Sequence, residues 1–216
     1  MAKVHGFGMF SGKFGNQVYF IRNGKCFVRA YSKKREDPNT WLQQMQRARF
    51  AEIQHFLKEL QPVIRIGYCT PPPRMSSYNE AVQNLLRRAL INVTAPDDDH
   101  PKFIIDYSNA QLSRGIIEAP LLESITRIGQ EITLIWEDDL RSDVNHPSDT
   151  CLLVAMMSYD KVYIDYNIGQ RSDGIGKVTL PQDFQEPVHL WIFFMNNQVE
   201  LRAKKHVSDS LYLGKH

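Results

Sequence analysis

Cysteine is scarce in this sequence, and its few copies are poorly placed for bridging or for metal binding. The 216 residues include three cysteines, Cys26, Cys69 and Cys151. Their number is odd, and no pair has the close spacing of a zinc-binding motif. We therefore expect free thiols in a reducing, cytoplasmic compartment and no disulfide framework.

Long apolar runs are also missing. The longest, "LLVAMM" (152–157) and "LWIFFM" (190–195), have six residues each, whereas a membrane-spanning helix needs about 20. The first residues, "MAKVHGFGMF", lack the continuous apolar core of a signal peptide. The sequence thus predicts a soluble protein with no membrane partner, in which both apolar runs form buried strands.

Local motifs of catalysis and cofactor binding do not occur. A phosphate-binding loop around Gly12-Lys13 would need a glycine at position 7 and a hydroxyl residue at position 14, and phenylalanine stands at both. The sequence has no Gly-x-Ser-x-Gly elbow, and its seven histidines form no His-x-x-x-His pattern. We expect no catalytic residue, no metal, no cofactor and no enzymatic activity.

Two weaker chemical signals have alternative interpretations. The acidic run "DDDH" (97–100) is predicted to be a solvated linker, because no glycine-pinned carboxylate loop of the calcium-binding type surrounds it. Spatial constellations need no sequence motif. An enzyme is therefore the remote alternative, with Asp106, Arg114 and His189 lining a cleft between two domains.

Charge is distributed unevenly along the chain. The net charge is +2, but residues 1–65 contain 12 Lys or Arg against 4 Asp or Glu, and residues 66–216 contain 14 against 20. Such asymmetry indicates a basic N-terminal part that meets an anionic partner.

The stretch "QVYFIRNGKCFVRA" (17–30) has the pattern of a β-hairpin. Two aromatic and β-branched runs flank Asn23-Gly24, a pair that favours a tight two-residue turn. This turn pairs Phe20 with Phe27 and Arg22 with Lys25, and paired side chains share a face. The other face is predicted to be apolar and buried, with Cys26 among its residues.

The basic and aromatic hairpin face, with the basic run after it, is the candidate binding site. Its residues are Phe20, Arg22, Lys25, Phe27, Arg29, Lys33, Lys34 and Arg35. Three interpretations stay open. The two phenylalanines pack beneath a helix while the cations reach solvent; the face binds nucleic acid by phosphate contact and base stacking; or it docks an acidic protein, including a second copy.

The rest of the chain divides into a helical and a strand-rich part. Amphipathic helices are predicted in "NTWLQQMQRARFAEIQHFLKEL" and, with Ser77 and Glu80 as a capping box, in "SSYNEAVQNLLRRALI". The proline-rich stretch 61–75 between them is predicted to be a connector. Short β-rich runs follow residue 102. We predict an α+β fold, with a hairpin and two-helix domain over 1–95 and an antiparallel β-sandwich over 103–216.

Two family resemblances agree with this organisation. Residues 123–214 resemble a fibronectin type III or immunoglobulin-like sandwich, through "ITLIWED" and "VTLPQDFQEPVHLWIFFMNN". The whole chain resembles an uncharacterised protein family of Bacteroidetes-type bacteria, through "FSGKFGNQV", "NGKCFVRAYSKK" and "SLYLG". The second resemblance implies no activity.

The sequence therefore predicts a non-enzymatic binding or structural assembly protein whose basic N-terminal face docks a protein partner or a second copy. The alternative is a nucleic-acid-binding protein.

Overall fold

The computed structural model describes residues 3–5, 9–22, 24–32, 36–137, 144–196 and 206–216. The chain separates into two compact units, Met1–Thr40 and Trp41–His216. The first unit is an antiparallel sheet of four strands that follow one another in chain order. They are β1 (Lys3–His5), β2 (Met9–Phe14), β3 (Gln17–Arg22) and β4 (Lys25–Ala30).

The second unit begins with three helices, where the sequence predicted two. They are α1 (Trp41–Leu57), α2 (Gln61–Gly67) and α3 (Ser77–Arg88). Helix α2 occupies part of the predicted connector, because Pro62 lies in its first turn, where a missing backbone N–H costs nothing. The N-cap of α3 is Ser76, not Ser77, and its side chain accepts a hydrogen bond from the Asn79 amide at 3.2 Å.

The described residues of the second unit also form three sheets. A ribbon pairs β5 (Leu90–Asn92) with β6 (Phe103–Ile105). A three-stranded sheet has the order β11-β8-β7, with β7 (Leu121–Ile128), β8 (Glu131–Glu137) and β11 (Ile175–Thr179). A four-stranded sheet has the order β10-β9-β12-β13, with β9 (Thr150–Ser158), β10 (Lys161–Gln170), β12 (His189–Met195) and β13 (Leu211–Lys215).

The four-stranded sheet is the middle of three layers, and both of its faces are buried. Alternate residues of β9 point to opposite faces. Leu152 and Val154 join the core beneath the helices, while Leu153 and Ala155 join the core shared with the three-stranded sheet. The two apolar runs are thus buried strands, as predicted. The α+β fold with a sandwich-like arrangement of antiparallel sheets is confirmed.

The division between compact units differs from the boundary predicted between residues 95 and 103. Helix residues such as Phe56 and Leu85 belong to the same hydrophobic core as Trp191 and Phe193 of β12. Because the helices cover one face of the central sheet, they group with it, and the division falls at Thr40 and Trp41. None of the helices within the described residues combines the length and the apolar character needed to cross a membrane.

Candidate functional site

The hairpin that carries the candidate residues has the predicted register. Strands β3 and β4 pair Val18 with Arg29, Phe20 with Phe27, and Arg22 with Lys25. Gly24 has φ +71°, a left-handed conformation that suits glycine in the turn; Asn23 lies outside the described residues. The turn thus determines which side chains share a face, and the pairs predicted from the sequence are the pairs observed.

Strand β2 extends this surface by a second hairpin. It pairs Lys13 with Val18 through a turn in which Gly15 has φ +56°, so Lys13 lies on the face of Phe20 and Phe27. Tyr31, two residues after Arg29, also lies there, and the Lys13 Nζ stands 3.5 Å from the centre of its ring. We call this surface the cationic face; it comprises Ser11, Lys13, Val18, Phe20, Arg22, Lys25, Phe27, Arg29 and Tyr31.

The centre of the cationic face is a pair of stacked rings. The centroids of Phe20 and Phe27 are 5.6 Å apart, and the ring planes are inclined by 19°. The two side chains are nevertheless 40% and 43% exposed. The described residues of the first unit include no helix that could cover these rings, and their exposure does not agree with the interpretation in which they form part of a core.

The positive charges of the cationic face are not neutralised by their neighbours. Within the described part of the chain, the side chains of Arg22, Lys25 and Arg29 make no hydrogen bond or ion pair, and none of the residues that form this face is acidic. Such a face attracts anionic groups, and the attraction weakens as salt screens it. The remaining predicted site residues, Lys33, Lys34 and Arg35, lie outside the described residues.

The opposite face of the sheet carries no charged side chain among its described residues. We call it the apolar face; it comprises Phe10, Gly12, Phe14, Gln17, Tyr19, Ile21, Cys26, Val28 and Ala30. The prediction that this face is buried is wrong for its hairpin residues, since Cys26 is exposed and Val28 is 55% exposed. The first unit has no helix or second sheet among its described residues to cover it.

The three residues proposed to line an enzymatic cleft have separate local partners. Asp106 accepts hydrogen bonds from the Ser108 hydroxyl and from the Asn109 side chain, which lower its pKa. His189 contacts the Tyr212 hydroxyl at 2.6 Å and stacks on Tyr107 with centroids 3.9 Å apart. These contacts fix the positions of the Asp106 and His189 side chains.

Arg114, the third of these residues, faces a different neighbour. Its Nη1 lies 3.9 Å from Glu80 Oε1 on α3. Its backbone amide donates to the Gly67 carbonyl at 2.9 Å, which ties the segment to the end of α2.

Metal-binding chemistry finds no support in the described ranges, where no group of three or more His, Cys, Asp or Glu residues is placed to hold an ion. In the acidic run 97–100, Asp98 pairs with Lys102 at 3.0 Å and accepts a hydrogen bond from the Ala95 amide. That carboxylate closes a turn.

Lys13 and Tyr31 are the members of the cationic face that sequence reasoning missed. A second two-residue turn, Gly15-Asn16, places Lys13 opposite Val18, just as Asn23-Gly24 places Phe20 opposite Phe27. Recognising that turn would have found Lys13, and the period of two beyond Arg29 would have found Tyr31.

Comparisons with known proteins give a family but no activity. None of the curated proteins compared with the chain matches it. The model of DUF6266, a family of unknown function, matches residues 9–214. That range includes the described residues of the cationic face, the helices and the sandwich. With nearly its whole length matched, the chain belongs to DUF6266, a family of unknown function.

Proposed function

We propose that this chain is a non-enzymatic binding protein with a role in assembly, and that its cationic face docks an acidic protein surface. The observation that carries the proposal is the set of Arg22, Lys25 and Arg29. They surround an exposed aromatic pair and have no counter-ion among the described residues. Arginine and aromatic side chains are enriched at protein interfaces, where they contribute a large share of binding energy.

The exposure of the apolar face supports a docking role for the same sheet. Phe14 is 72% exposed and Val28 is 55% exposed, and large apolar side chains grouped on one surface mark interaction sites. Small sheets need a covered hydrophobic face for stability. A sheet of this kind gains stability when a partner surface packs against it.

The aromatic geometry favours a protein over a nucleic acid. Nucleic-acid-binding sheets present ring faces on which bases stack. The rings of Phe20 and Phe27 instead stack on each other, so each has one face occupied. The accessible surface of the two rings is suited to contact with apolar side chains of a partner protein that also carries acidic side chains.

A second copy of this chain is one source of an acidic surface. Residues 66–216 contain 20 Asp or Glu against 14 Lys or Arg, so this part of one copy has the charge that the cationic face of another attracts. Single-stranded nucleic acid is the second candidate partner, favoured by the unneutralised cations.

The experiment that tests the proposal compares two anionic probes on the full chain. A fluorescent polyglutamate peptide and a fluorescent oligothymidylate are titrated with protein at low and high ionic strength. We expect the peptide to bind through the cationic face and to bind more weakly at high salt. Stronger binding of the oligonucleotide would favour the second candidate.

Charge reversal identifies the face that binds. The variant Arg22→Glu/Lys25→Glu/Arg29→Glu is expected to lose about tenfold to a hundredfold in peptide affinity, at about 0.5–1 kcal/mol for each exposed charge. The matched control is Arg65→Glu/Lys177→Glu/Lys215→Glu, which removes the same charge from exposed positions of the second unit. Equal losses in the two variants would mean that only net charge matters, and the proposal would then be wrong.

A further inference from the structure

Three arginines converge on a depression in the second unit, apart from the cationic face. The depression has a volume of about 250 Å³. Arg87 and Arg88 come from the last turn of α3, and Arg114 comes from the segment that follows Gln111. Cations at the C-terminal end of a helix stabilise its dipole, but this does not explain an arginine contributed by another segment.

A partly buried polar network ties α3 to the segment that carries Arg114. Asn84 on α3 donates through Nδ2 to the Tyr68 hydroxyl at 2.9 Å and to Gln111 Oε1 at 2.8 Å. The Tyr68 hydroxyl donates to the Gln111 carbonyl at 2.9 Å. Burial raises the pKa of Tyr68 to about 12, so this hydroxyl keeps its proton and remains a donor. The three arginines extend from these tied segments, and their side chains are exposed.

The depression has an excess of positive charge. The side chains of Arg87 and Arg88 make no hydrogen bond or ion pair with any residue that the structure describes. Glu80 is the acidic residue in the lining, and it stands 3.9 Å from Arg114. Three guanidinium groups against one carboxylate leave two positive charges when Glu80 is ionised.

We propose that this depression binds the phosphate group of a small phosphorylated compound, held by Arg87, Arg88 and Arg114. A phosphate monoester carries nearly two negative charges at neutral pH, which matches the excess of the lining. The planar guanidinium donates two parallel hydrogen bonds to phosphate oxygens. Pockets that bind drug-sized ligands have volumes of about 300–1,000 Å³. The depression is smaller, so it suits a small anion.

Space for the esterified part of such a compound lies beside Arg88. This residue also lines a second depression of about 210 Å³, together with Ser108, Asn109, Tyr212 and one carboxylate, that of Asp209. Its lining is mostly polar, so it suits a hydroxylated group better than an apolar one.

The test uses inorganic phosphate as the probe and the full chain as the protein. The melting temperature is recorded against phosphate concentration, with chloride added to hold ionic strength constant. We expect a saturable rise for the wild type and a smaller or absent rise with succinate, whose carboxylates are farther apart than the oxygens of one phosphate. A rise of equal size with chloride alone, or none with phosphate, would overturn the proposal.

Variants locate the bound phosphate. Replacing Arg114 by Gln is expected to weaken phosphate binding about tenfold or more, since it removes a charged hydrogen-bond donor. The triple variant Arg87→Gln/Arg88→Gln/Arg114→Gln is expected to abolish the rise. The control Arg65→Gln removes an exposed arginine outside this depression and is expected to behave as the wild type.

The cationic face needs its own control, because it also attracts anions. The Arg22→Glu/Lys25→Glu/Arg29→Glu variant is expected to keep the full response to phosphate while it loses polyglutamate binding. Loss of the phosphate response in that variant would place the anion on the N-terminal sheet and overturn the site at Arg87, Arg88 and Arg114. The two proposals therefore fail separately.

Discussion

Phe20 and Phe27 lie directly opposite each other on β3 and β4, and their stacked rings are both exposed. Cross-strand aromatic pairs stabilise a hairpin by contact between the two side chains. The pair therefore supports the sheet locally, and it leaves an apolar patch in the middle of a positively charged surface. That combination is the basis for assigning the cationic face a docking role.

The phenylalanine pair distinguishes a protein partner from a nucleic acid. Replacing Phe20 and Phe27 by Ala is expected to change polyglutamate affinity by less than about threefold, because that peptide has no apolar side chains to pack on the rings. Base stacking contributes about 1–3 kcal/mol per base. Oligothymidylate binding that falls more than about tenfold in this variant, with an unchanged circular dichroism spectrum, would identify a nucleic-acid site.

Exposure of the apolar face makes Cys26 the most reactive thiol. Cys26 is exposed, whereas Cys151 is fully buried and burial raises the pKa of its thiol. We expect a maleimide to modify Cys26 first in the native protein, and the Cys26→Ser variant to lose this rapid phase. Mass spectrometry of a time course measures both.

The same reaction reports on the side from which a partner binds. Cys26 lies on the apolar face, opposite the cations, so saturating polyglutamate is expected to leave its alkylation rate unchanged. A Cys26 that reacts only after denaturation would contradict the exposure of the apolar face.

The ion pair between Arg171 and Asp149 is buried in the sandwich unit. The Arg171 Nε lies 3.3 Å from Asp149 Oδ2, and the two side chains are 1% and 0% exposed. Arg171 also donates to the Glu118 carbonyl at 3.0 Å. Removing one partner of a buried pair leaves an uncompensated charge and costs about 3–5 kcal/mol.

We therefore expect Arg171→Met to lower the free energy of unfolding by about 3–5 kcal/mol in urea denaturation. The control Lys177→Met changes an exposed cation and is expected to have an effect within about 0.5 kcal/mol. A loss below about 1 kcal/mol for Arg171→Met would show that Asp149 finds another partner or is protonated.

His189 makes stability depend on pH. Burial, and secondly the charge of Lys215, lower its pKa below the ordinary value of 6.5. The folded state therefore binds its proton less readily than the unfolded state does. The stability gained from neutral His189 is fully present above about pH 6.5 and is lost as pH falls through the lower, folded-state pKa.

We expect the free energy of unfolding to fall as the pH drops below about 6.5, and the fall to be smaller in His189→Gln. Urea denaturation over a series of pH values measures the free energy of unfolding, and His100→Gln, which changes an exposed histidine, is the control. An identical pH profile for the wild type and His189→Gln would contradict this assignment.

The features that could be predicted from the sequence are those with local causes. The Asn23-Gly24 turn and strict alternation defined the register of β3 and β4, because a tight turn leaves a hairpin little freedom. The apolar runs in β9 and β12 were long enough to be buried on both faces.

Features that depend on distant contacts could not be predicted. Which residues of strand β7 are buried does not follow its sequence, since the apolar Leu121 and Ile128 are 50% and 79% exposed. Sequence alternation predicted which hairpin residues share a face with Cys26. Whether other residues cover that face depends on the rest of the fold, which alternation does not reveal. The residues that line the depression at Arg87, Arg88 and Arg114 share no sequence motif, and a hydrogen bond from Asn84 to Gln111 ties their two segments together.

The most direct test of the central claim is an inversion of charge preference at the cationic face. Polyglutamate and polylysine affinities are measured for the wild type, for Arg22→Glu/Lys25→Glu/Arg29→Glu, and for the matched control in the second unit. The account predicts that the face variant loses polyglutamate and gains polylysine binding, while the control still prefers polyglutamate. A face variant that binds polyglutamate as tightly as the wild type does would contradict the assignment of this sheet as the docking element.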